Sequence, residues 1–493
     1  PPCAYEDLDV TDCLLIAGNN TAFAHPIAFR RIEDARRTRP HLKVIVVDPR
    51  RTDTAAMADL HLPVLPGTDI WLFNAMLHVL VWEGFVDHAF VRGHTTGFEA
   101  LRNHVRDMTP AVAASLCGVP AEDIVQAARW WGEAGAAMSL WCQGINQSHH
   151  GTHGGAALIA LSLATGGIGK PGCGPFSLTG QPNAMGGREV GGLANLLPAH
   201  RELGNPTHRA EVARFWGVED VPATPGLTAV ELFDAMHDGR VKAVWIACTN
   251  PAQSMPEQER VREALSRCDF VVLQEAYRNT ETAPYADLLL PAAAWGEKDG
   301  TVTNSERRIS RQRRFLPAPG DARPDWWIGT QVAHRMGFAA AFPYASAADI
   351  FREHASLSAF ENAGTRDFDL SGLAALSDGA YDTLDPVQWP VVDHVADERR
   401  FFADGRFFTA ERRAHFIAPE KPQHSVAAGR DYPFRLNTGR VRDQWHTMTR
   451  TGLAPALMTH TAEPTLAIHP ADATAAGIAA GDLVRLITAD GET

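Results

Sequence analysis

The sequence predicts an α/β protein with two doubly wound, mainly parallel sheets and a β-rich C-terminal domain that begins but does not finish. Three observations carry this. Short continuous apolar runs alternate with helix-period segments. The layout of residues 12–48 recurs further along the chain. After Phe434 the pattern changes to short strands with Gly turns.

The first unit opens on Cys13-Leu14-Leu15-Ile16-Ala17, an unbroken apolar run of the kind a sheet covered on both faces requires. Gly18-Asn19-Asn20 breaks it, and Pro26 opens a helix that turns Ile27, Phe29, Ile32 and Ala35 towards a core. Val44-Ile45-Val46-Val47 is the second strand and ends at Asp48-Pro49-Arg50-Arg51-Thr52. A third short strand ends in Leu65-Pro66-Gly67-Thr68-Asp69, a tight turn that caps a helix over 70–83. Pro120–Trp131 is a further helix and Ala136–Cys142 a further strand.

The second unit repeats the plan. Val244-Trp245-Ile246-Ala247-Cys248 is a strand, Thr249-Asn250-Pro251 its break, and a helix starts near Pro256. Phe270-Val271-Val272-Leu273 ends at Gln274-Glu275. Both units thus read strand, Asn-bearing loop, Pro-opened helix, strand, acid, as an internal duplication would. Residues 166–205 are glycine-dense with few helix or strand signals, and 340–430 read as short helices and connections.

Composition narrows the function. The 493 residues hold 45 Lys+Arg against 58 Asp+Glu, a formal net charge of −13, which disfavours a nucleic-acid surface. The longest apolar run, Ala156–Ala164, is too short to span a membrane. The seven cysteines include no Cys-x-x-Cys, so no zinc ribbon or iron–sulfur cluster is encoded here, and Cys13, Cys142 and Cys248 read as small buried hydrophobes in a reducing compartment. The chain starts Pro-Pro-Cys without Met and stops at Ala489-Asp490-Gly491-Glu492-Thr493, read as a hairpin turn with no return strand. A fragment lacking both ends is therefore expected.

The chemistry collects at strand ends. Gly18-Asn19-Asn20-Thr21 and Asp48-Pro49-Arg50-Arg51-Thr52 leave the carboxyl ends of adjacent strands, where open α/β sheets bind ligands. Backbone amides with Arg50 and Arg51 suit phosphates, and Asp48 suits a ribose hydroxyl or a guanine edge. An Asp48–Arg51 ion pair capping the strand is the competing reading. The Gly-x-Gly-x-x-Gly fingerprint is absent, which disfavours a nicotinamide site. Asn250, Gln274 and Glu275 form the equivalent edge of the second unit. Two edges imply two nucleotides or one cofactor with two nucleotide arms. Glu297–Gly300 and Asn304–Arg308 either close round that ligand or form a solvated charged loop.

Three further stretches stand out. Arg188, in Gln181-Pro182-Asn183-Ala184-Met185-Gly186-Gly187-Arg188-Glu189, can hold a planar oxyanion by paired hydrogen bonds, or is a solvated Arg on a flexible loop. His149 and His153 have helical metal spacing without a third ligand, so a polar cofactor loop over Gly144–His153 is the better reading and no metal ligand is assigned. Asn437–Thr447 is unusually rich in hydrogen-bonding side chains for a plain turn.

Together, Pro1–Asp9, Gly18–Pro26, Gly180–Gly192 and Thr438–Thr447 resemble the molybdopterin bis(guanine dinucleotide) oxidoreductases of the dimethyl sulfoxide reductase superfamily, and within them the assimilatory nitrate reductase branch. The resemblance covers essentially the whole chain. It implies two pseudo-related Rossmann-like domains, at 1–170 and 171–420, the second opening with the glycine-rich active-site loop. It also implies an incomplete C-terminal β-barrel-like domain at 421–493.

By the same resemblance Gly18, Asn19, Asn20, Thr21, Asp48, Pro49, Arg50, Arg51, Thr52, Gly67, Thr68 and Asp69 hold one guanine dinucleotide arm. Asn250, Gln274, Glu275, Lys298 and Asp325 hold the other. Thr438, Gly439, Arg440, Gln444, Trp445, His446 and Thr447 contact the pterins. Gln143 and Gln147 line the pocket, where many relatives carry Met at the first position. Arg188, with Gln143 and Met185, faces the substrate. The implied activity is two-electron reduction of nitrate to nitrite in nitrate assimilation, in the cytoplasm, at a molybdenum bis(molybdopterin guanine dinucleotide) centre. Electrons would come from a ferredoxin or a nicotinamide-linked flavoprotein through a [4Fe–4S] cluster whose ligands, like the Cys on molybdenum, lie outside these residues. Alone, the 493 residues are expected to be inactive. The rival readings are formate dehydrogenase, a periplasmic nitrate reductase, and a non-catalytic nucleotide-cofactor-binding module.

Overall fold

The computed structural model describes residues 2–392, 395–396, 400–419, 429, 431–488 and 491–492. Pro1 of the N-terminal motif and Ala489–Asp490 of the terminal turn lie outside them. The chain divides into two compact units. The first comprises Pro1–Gly226, Trp295–Pro317 and Trp326–Ser425; the second comprises Leu227–Ala294, Ala318–Asp325 and Val426–Thr493. The units interleave along the chain, where the sequence suggested consecutive blocks.

In the first unit β1 (Cys13–Ala17), α1 (Pro26–Thr38), β2 (Lys43–Val47), β3 (Leu60–Leu62), α2 (Asp69–Trp82), α3 (Ala121–Glu133), β4 (Ala137–Trp141), α4 (Gly151–Ala164) and β5 (Gly174–Ser177) form one parallel sheet in the order β3-β2-β1-β4-β5. Alternation assigns its two faces. Leu15, Ala17, Ile45, Val47 and Trp141 pack with α2, α3 and α4. Leu14, Ile16, Val44, Val46, Met138, Leu140 and Phe176 pack on the side of α1. Helix α2 is buried on nearly every side, as a helix inside a core must be. Helix α1 starts at Pro26 as expected, but its inward stripe is Ala28, Ile32 and Ala35; Ile27, expected to face a core, is 84% exposed. Position 27 lies about 100° from 28 on a helix, and the 28/32/35 spacing selects the buried face. The short helix α5 (Ala184–Glu189) follows in the glycine-dense stretch.

The second unit holds α6 (Ala229–His237), β6 (Ala243–Ala247), α7 (Gln258–Arg267), β7 (Phe270–Glu275) and β8 (Leu288–Pro291), a parallel sheet in the order β8-β7-β6. Ile246, Val271 and Leu273 pack with Phe233, Met236, Val261 and Leu265 from the two helices. The opposite face is open: Trp245, Phe270 and Leu288 are 44%, 45% and 43% exposed. Cys248, expected to be buried, is exposed at the end of β6. The reason is that the strand stops at Ala247 and Cys248, at φ +60°, turns away from the core-facing side that Ile246 occupies.

The chain then returns to the first unit with the antiparallel β9 (Gly300–Thr303) and β10 (Arg308–Gln312), the helix α8 (Ala347–Ala359), and β11 (Val387–Gln388) pairing with β10. Beyond residue 431 the described residues form 3-10 turns, α9 (Pro470–Ala476) and a hairpin of Ile487–Thr488 with Gly491–Glu492. The terminal turn therefore does have a return strand, and no barrel forms among these residues. The return strand, Gly491–Glu492, is too short to carry a recognisable pattern of its own.

Candidate functional site

Register puts the first candidate edge on one level. Ala17 pairs with Val47 and with Trp141, and Trp141 pairs with Ser177, so the segments after all four strands leave the same side of the sheet. Between β1 and β4 the strand order reverses, which opens a crevice. Two glycines cross there. Gly144 N donates to Gly18 O at 2.9 Å. A Cβ on Gly144 would lie 2.6 Å from Gly18 Cα, and one on Gly18, whose φ is +55°, would lie 2.8 Å from the Gly144 backbone. No side chain fits at this crossing.

Around the crossing sit polar groups whose needs the chain does not meet. Asn19 is 4% exposed, and neither its Oδ1 nor its Nδ2 has a partner among the described residues. Such a group signals a ligand or water. Asn20 Oδ1 instead accepts from Thr54 Oγ1 at 2.8 Å, and Thr54 Oγ1 accepts from Ala22 N at 3.0 Å, fixing the loop. Thr21 is buried. Asp48 Oδ1 accepts Arg50 N at 2.9 Å, while Arg50 and Arg51 are exposed. Among the described residues the Asp48–Arg51 ion pair is not formed. Pro49 is partly buried, and Thr52 caps the helix Asp53–Ala56 by accepting Ala55 N at 3.3 Å.

Gly67 turns at φ +81°, Thr68 is buried, and Asp69 starts α2. Burial pushes the Asp69 carboxyl up to about 6, with the charge of Asp48 adding to it. Asp48 is also raised, chiefly by burial. Two desolvated carboxylates beside an unpartnered Asn make a recognition surface for N–H and O–H donors.

The glycine-rich loop leaves the same edge. Gln143 Nε2 donates to Gln181 Oε1 at 3.3 Å, and Gln147 is exposed. Arg188 is exposed on α5, whereas Met185 is buried among Ala199, Ile309 and Phe351. The loop is held by Thr303 and by residues that the sequence offered as closing round a ligand or as a solvated charged loop. Thr303 N donates to Asn183 Oδ1 at 2.8 Å, and Thr303 Oγ1 donates to Glu189 Oε2 at 2.8 Å. Ser305, Glu306 and Arg307 are buried in the first unit, with Tyr5 N donating to Glu306 Oε2 at 2.9 Å and Thr179 N to Ser305 Oγ at 3.2 Å. Asn304–Arg308 is thus a buttress of the loop and not a solvated charged turn. Lys298 lies just before β9, also in the first unit.

The second unit's edge is built differently. Asn250 Oδ1 accepts from Thr282 Oγ1 at 2.7 Å and from Thr282 N at 3.2 Å, and its Nδ2 donates to Glu281 Oε2 at 2.6 Å and to Thr447 Oγ1 at 3.4 Å. Gln274 Nε2 donates to Asp325 Oδ1 at 2.8 Å, and its Oε1 accepts from Trp245 Nε1 at 3.2 Å. Glu275 Oε1 accepts Ala276 N at 2.7 Å. Glu281 and Thr282 were missed by sequence reasoning; their only signal was a polar run after a strand.

Thr438 and Gly439 are exposed. Arg440 lies over the Trp445 ring, 4.6 Å from its centroid, and Gln444 Nε2 donates to Leu457 O at 3.3 Å. His446, Thr447 and Met448 all take positive φ, a strained segment of a kind that clusters at ligand sites.

Among the described residues no three or more His, Cys, Asp or Glu side chains are grouped as a metal would need, and no helix is long and apolar enough to cross a membrane. The molybdopterin oxidoreductase family matches residues 2–335, and the molydopterin dinucleotide binding domain matches 434–493. A nitrate reductase of Klebsiella oxytoca is 46% identical over 98% of this chain and 55% of its own length. One from Synechocystis sp. is 44% identical over 92% of this chain and 63% of its own. An F420-dependent formate dehydrogenase subunit alpha of Methanocaldococcus jannaschii is 36% identical over 99% of this chain and 69% of its own. The chain therefore spans between about half and two thirds of the length of the nitrate reductases it matches. Acetylene hydratase from Pelobacter acetylenicus shares the fold, with a TM-score of 0.71 at 19% identity over 97% of this chain and 69% of that one.

Proposed function

Because the chain belongs to the molybdopterin oxidoreductases, we propose that the full-length protein carrying it reduces nitrate to nitrite in nitrate assimilation. Nitrate takes up two electrons and two protons and leaves as nitrite and water. The observation that carries this reading is that relatives named nitrate reductase reach 46% and 44% identity over nearly the whole chain, against 36% for the formate dehydrogenase subunit.

The first edge fits one nucleotide arm of a molybdenum bis(molybdopterin guanine dinucleotide) cofactor, which supplies the two-electron redox chemistry when bound. The unpartnered Asn19 amide, the side-chain-free crossing of Gly18 and Gly144 and the desolvated Asp48–Asp69 pair are what fit it. In this reading Asp48 and Asp69 accept from the N–H groups of a guanine edge or from ribose hydroxyls, and Arg50 and Arg51 face phosphate. Asn250, Gln274, Glu275, Asp325 and Lys298 serve the second arm, and residues 438–447 the pterins. The two parallel sheets then form pseudo-related Rossmann-like domains, one per arm. Arg188 binds nitrate through paired hydrogen bonds and stabilises the charge that grows as the N–O bond breaks; Gln143 and Met185 complete its surroundings.

Electrons come from a ferredoxin or nicotinamide-linked flavoprotein by way of a [4Fe–4S] cluster held outside these residues, in the cytoplasm. The test is to purify the full-length protein, measure its molybdenum, and assay nitrate and formate with an artificial redox dye. Molybdenum with nitrate reduction supports the reading. Formate oxidation without nitrate reduction, or no molybdenum, overturns it. The 493 residues alone are expected to reduce no nitrate.

A further inference from the structure

Glu189 ends α5 immediately after Arg188, and the two side chains diverge: Arg188 is exposed while Glu189 is 2% exposed. The Glu189 carboxyl is fully engaged inside the first unit. Oε2 accepts from Thr303 Oγ1 at 2.8 Å, Oε1 accepts from Trp389 Nε1 at 2.7 Å, and the main-chain carbonyl accepts from Ala199 N at 2.7 Å. At the other end of α5, Asn183 Oδ1 accepts the N–H of the same Thr303. A Cβ on Gly186 would lie 2.2 Å from that Oδ1, so the turn is closed tightly over it. One residue of β9 thus grips both ends of the helix that carries Arg188.

We propose that Glu189 is the positioning residue for Arg188, pinning the C-terminal end of α5 to Thr303 and Trp389 so that the guanidinium is presented in one place. The proposal rests on the reading that Arg188 meets the oxyanion substrate.

The chemistry of the pin is unusual. Both hydrogen bonds come from neutral donors, an alcohol and an indole. The charges that act on it are those of His200 and Asp367, paired with each other at 2.7 Å and pulling in opposite directions. Burial outweighs them and the two hydrogen bonds and raises the Glu189 carboxyl to about 7. Burial favours the protonated carboxyl, so ionisation costs the pinned state more than a released one. The grip on α5 therefore weakens as pH rises through neutrality.

The test uses full-length, cofactor-loaded enzyme with E189Q, T303V, T303S and R188A. A glutamine accepts through one oxygen only, and valine removes the hydroxyl donor at nearly constant volume. E189Q and T303V are expected to raise KM for nitrate about tenfold, the equivalent of one lost hydrogen bond to a charged group, with kcat changed less. T303S restores the wild-type KM. The pH dependence of KM near neutrality flattens in E189Q. Hydrogen exchange of residues 184–192, a readout independent of turnover, speeds up in E189Q and T303V.

If R188A raises KM while E189Q and T303V change neither KM nor exchange, the proposal fails alone. If R188A leaves KM unchanged, the Arg188 reading fails and takes this one with it.

Discussion

The two parallel sheets begin from the same plan and end in different states. The first is covered on both faces, with Leu14 and Leu15 each fully buried on opposite sides. The second is covered on one, leaving Trp245, Phe270 and Leu288 half exposed. Their edges differ as well. Asn19 in the first unit is buried with both amide atoms unpartnered, whereas its counterpart Asn250 spends the same amide on Glu281, Thr282 and Thr447. An edge with unmet polar groups is pre-organised for a ligand and is costly without one. An edge that satisfies itself is stable alone and must exchange hydrogen bonds to bind.

The largest test of this contrast is Gly144→Ala. Its Cβ would meet Gly18 backbone at 2.6 Å, with nothing flexible to yield. We expect a loss of about 3 kcal/mol or more in denaturant unfolding, together with loss of bound molybdenum from the full-length protein. A stable, metal-loaded variant would show that the crossing tolerates separation and that the edge is not pre-organised by it.

Next comes Asp69→Asn. The folded carboxyl titrates near 6, above its unfolded value, so its contribution is fully present below about 4 and is lost as pH rises through 6. In cofactor-free protein the variant should therefore be more stable than wild type at pH 8, by about 2 kcal/mol after allowance for partial exposure, and equal at pH 4. In the full-length protein it should retain less molybdenum. Equal stability at both pH values would remove desolvation from the account of this edge.

Asn250→Ala should act oppositely, destabilising cofactor-free protein by about 2 kcal/mol because Thr282 and Glu281 lose a buried partner. Asn19→Ala, removing an amide that has no partner among the described residues, should cost less in the same unfolding assay. The reverse ranking would break the comparison. Smallest is Phe270→Ala on the open face, expected to cost about 1 kcal/mol or less by thermal unfolding, against about 3 kcal/mol for Leu15→Ala inside the first sheet. Similar costs for the two would mean that the open face is covered.

Much of this was legible in the residues. The apolar runs at 13–17 and 44–47 became parallel strands because continuous hydrophobicity suits a sheet between layers, and the run at 244–248 became a strand, Ala243–Ala247, although its sheet is covered on one face only. The breaks after them leave one side of each sheet together because they follow strands at equal register. The helix at 70–83 was legible from the turn before it, although Thr68 bonds back to Leu65 O and makes no side-chain cap.

Other features were invisible for a physical reason. Ile27 and Ala28 are neighbours in sequence, and only packing chose which faced inward. Cys248 ends an apolar run like that of Cys13, yet one is exposed and the other buried, because Cys13 lies inside its strand whereas Cys248 has already left its own at φ +60°. Glu189 reads as one more charge in a polar loop. Its partners Thr303 and Trp389 lie 114 and 200 residues away, and only the fold brings an alcohol and an indole to a carboxylate that water no longer reaches.

The sequence by itself determined the elements, their order and the residue types at each edge, since these follow from local periodicity and turn chemistry. Tertiary structure alone decided which of those groups are desolvated and which are satisfied, since burial and hydrogen bonding depend on segments far apart along the chain.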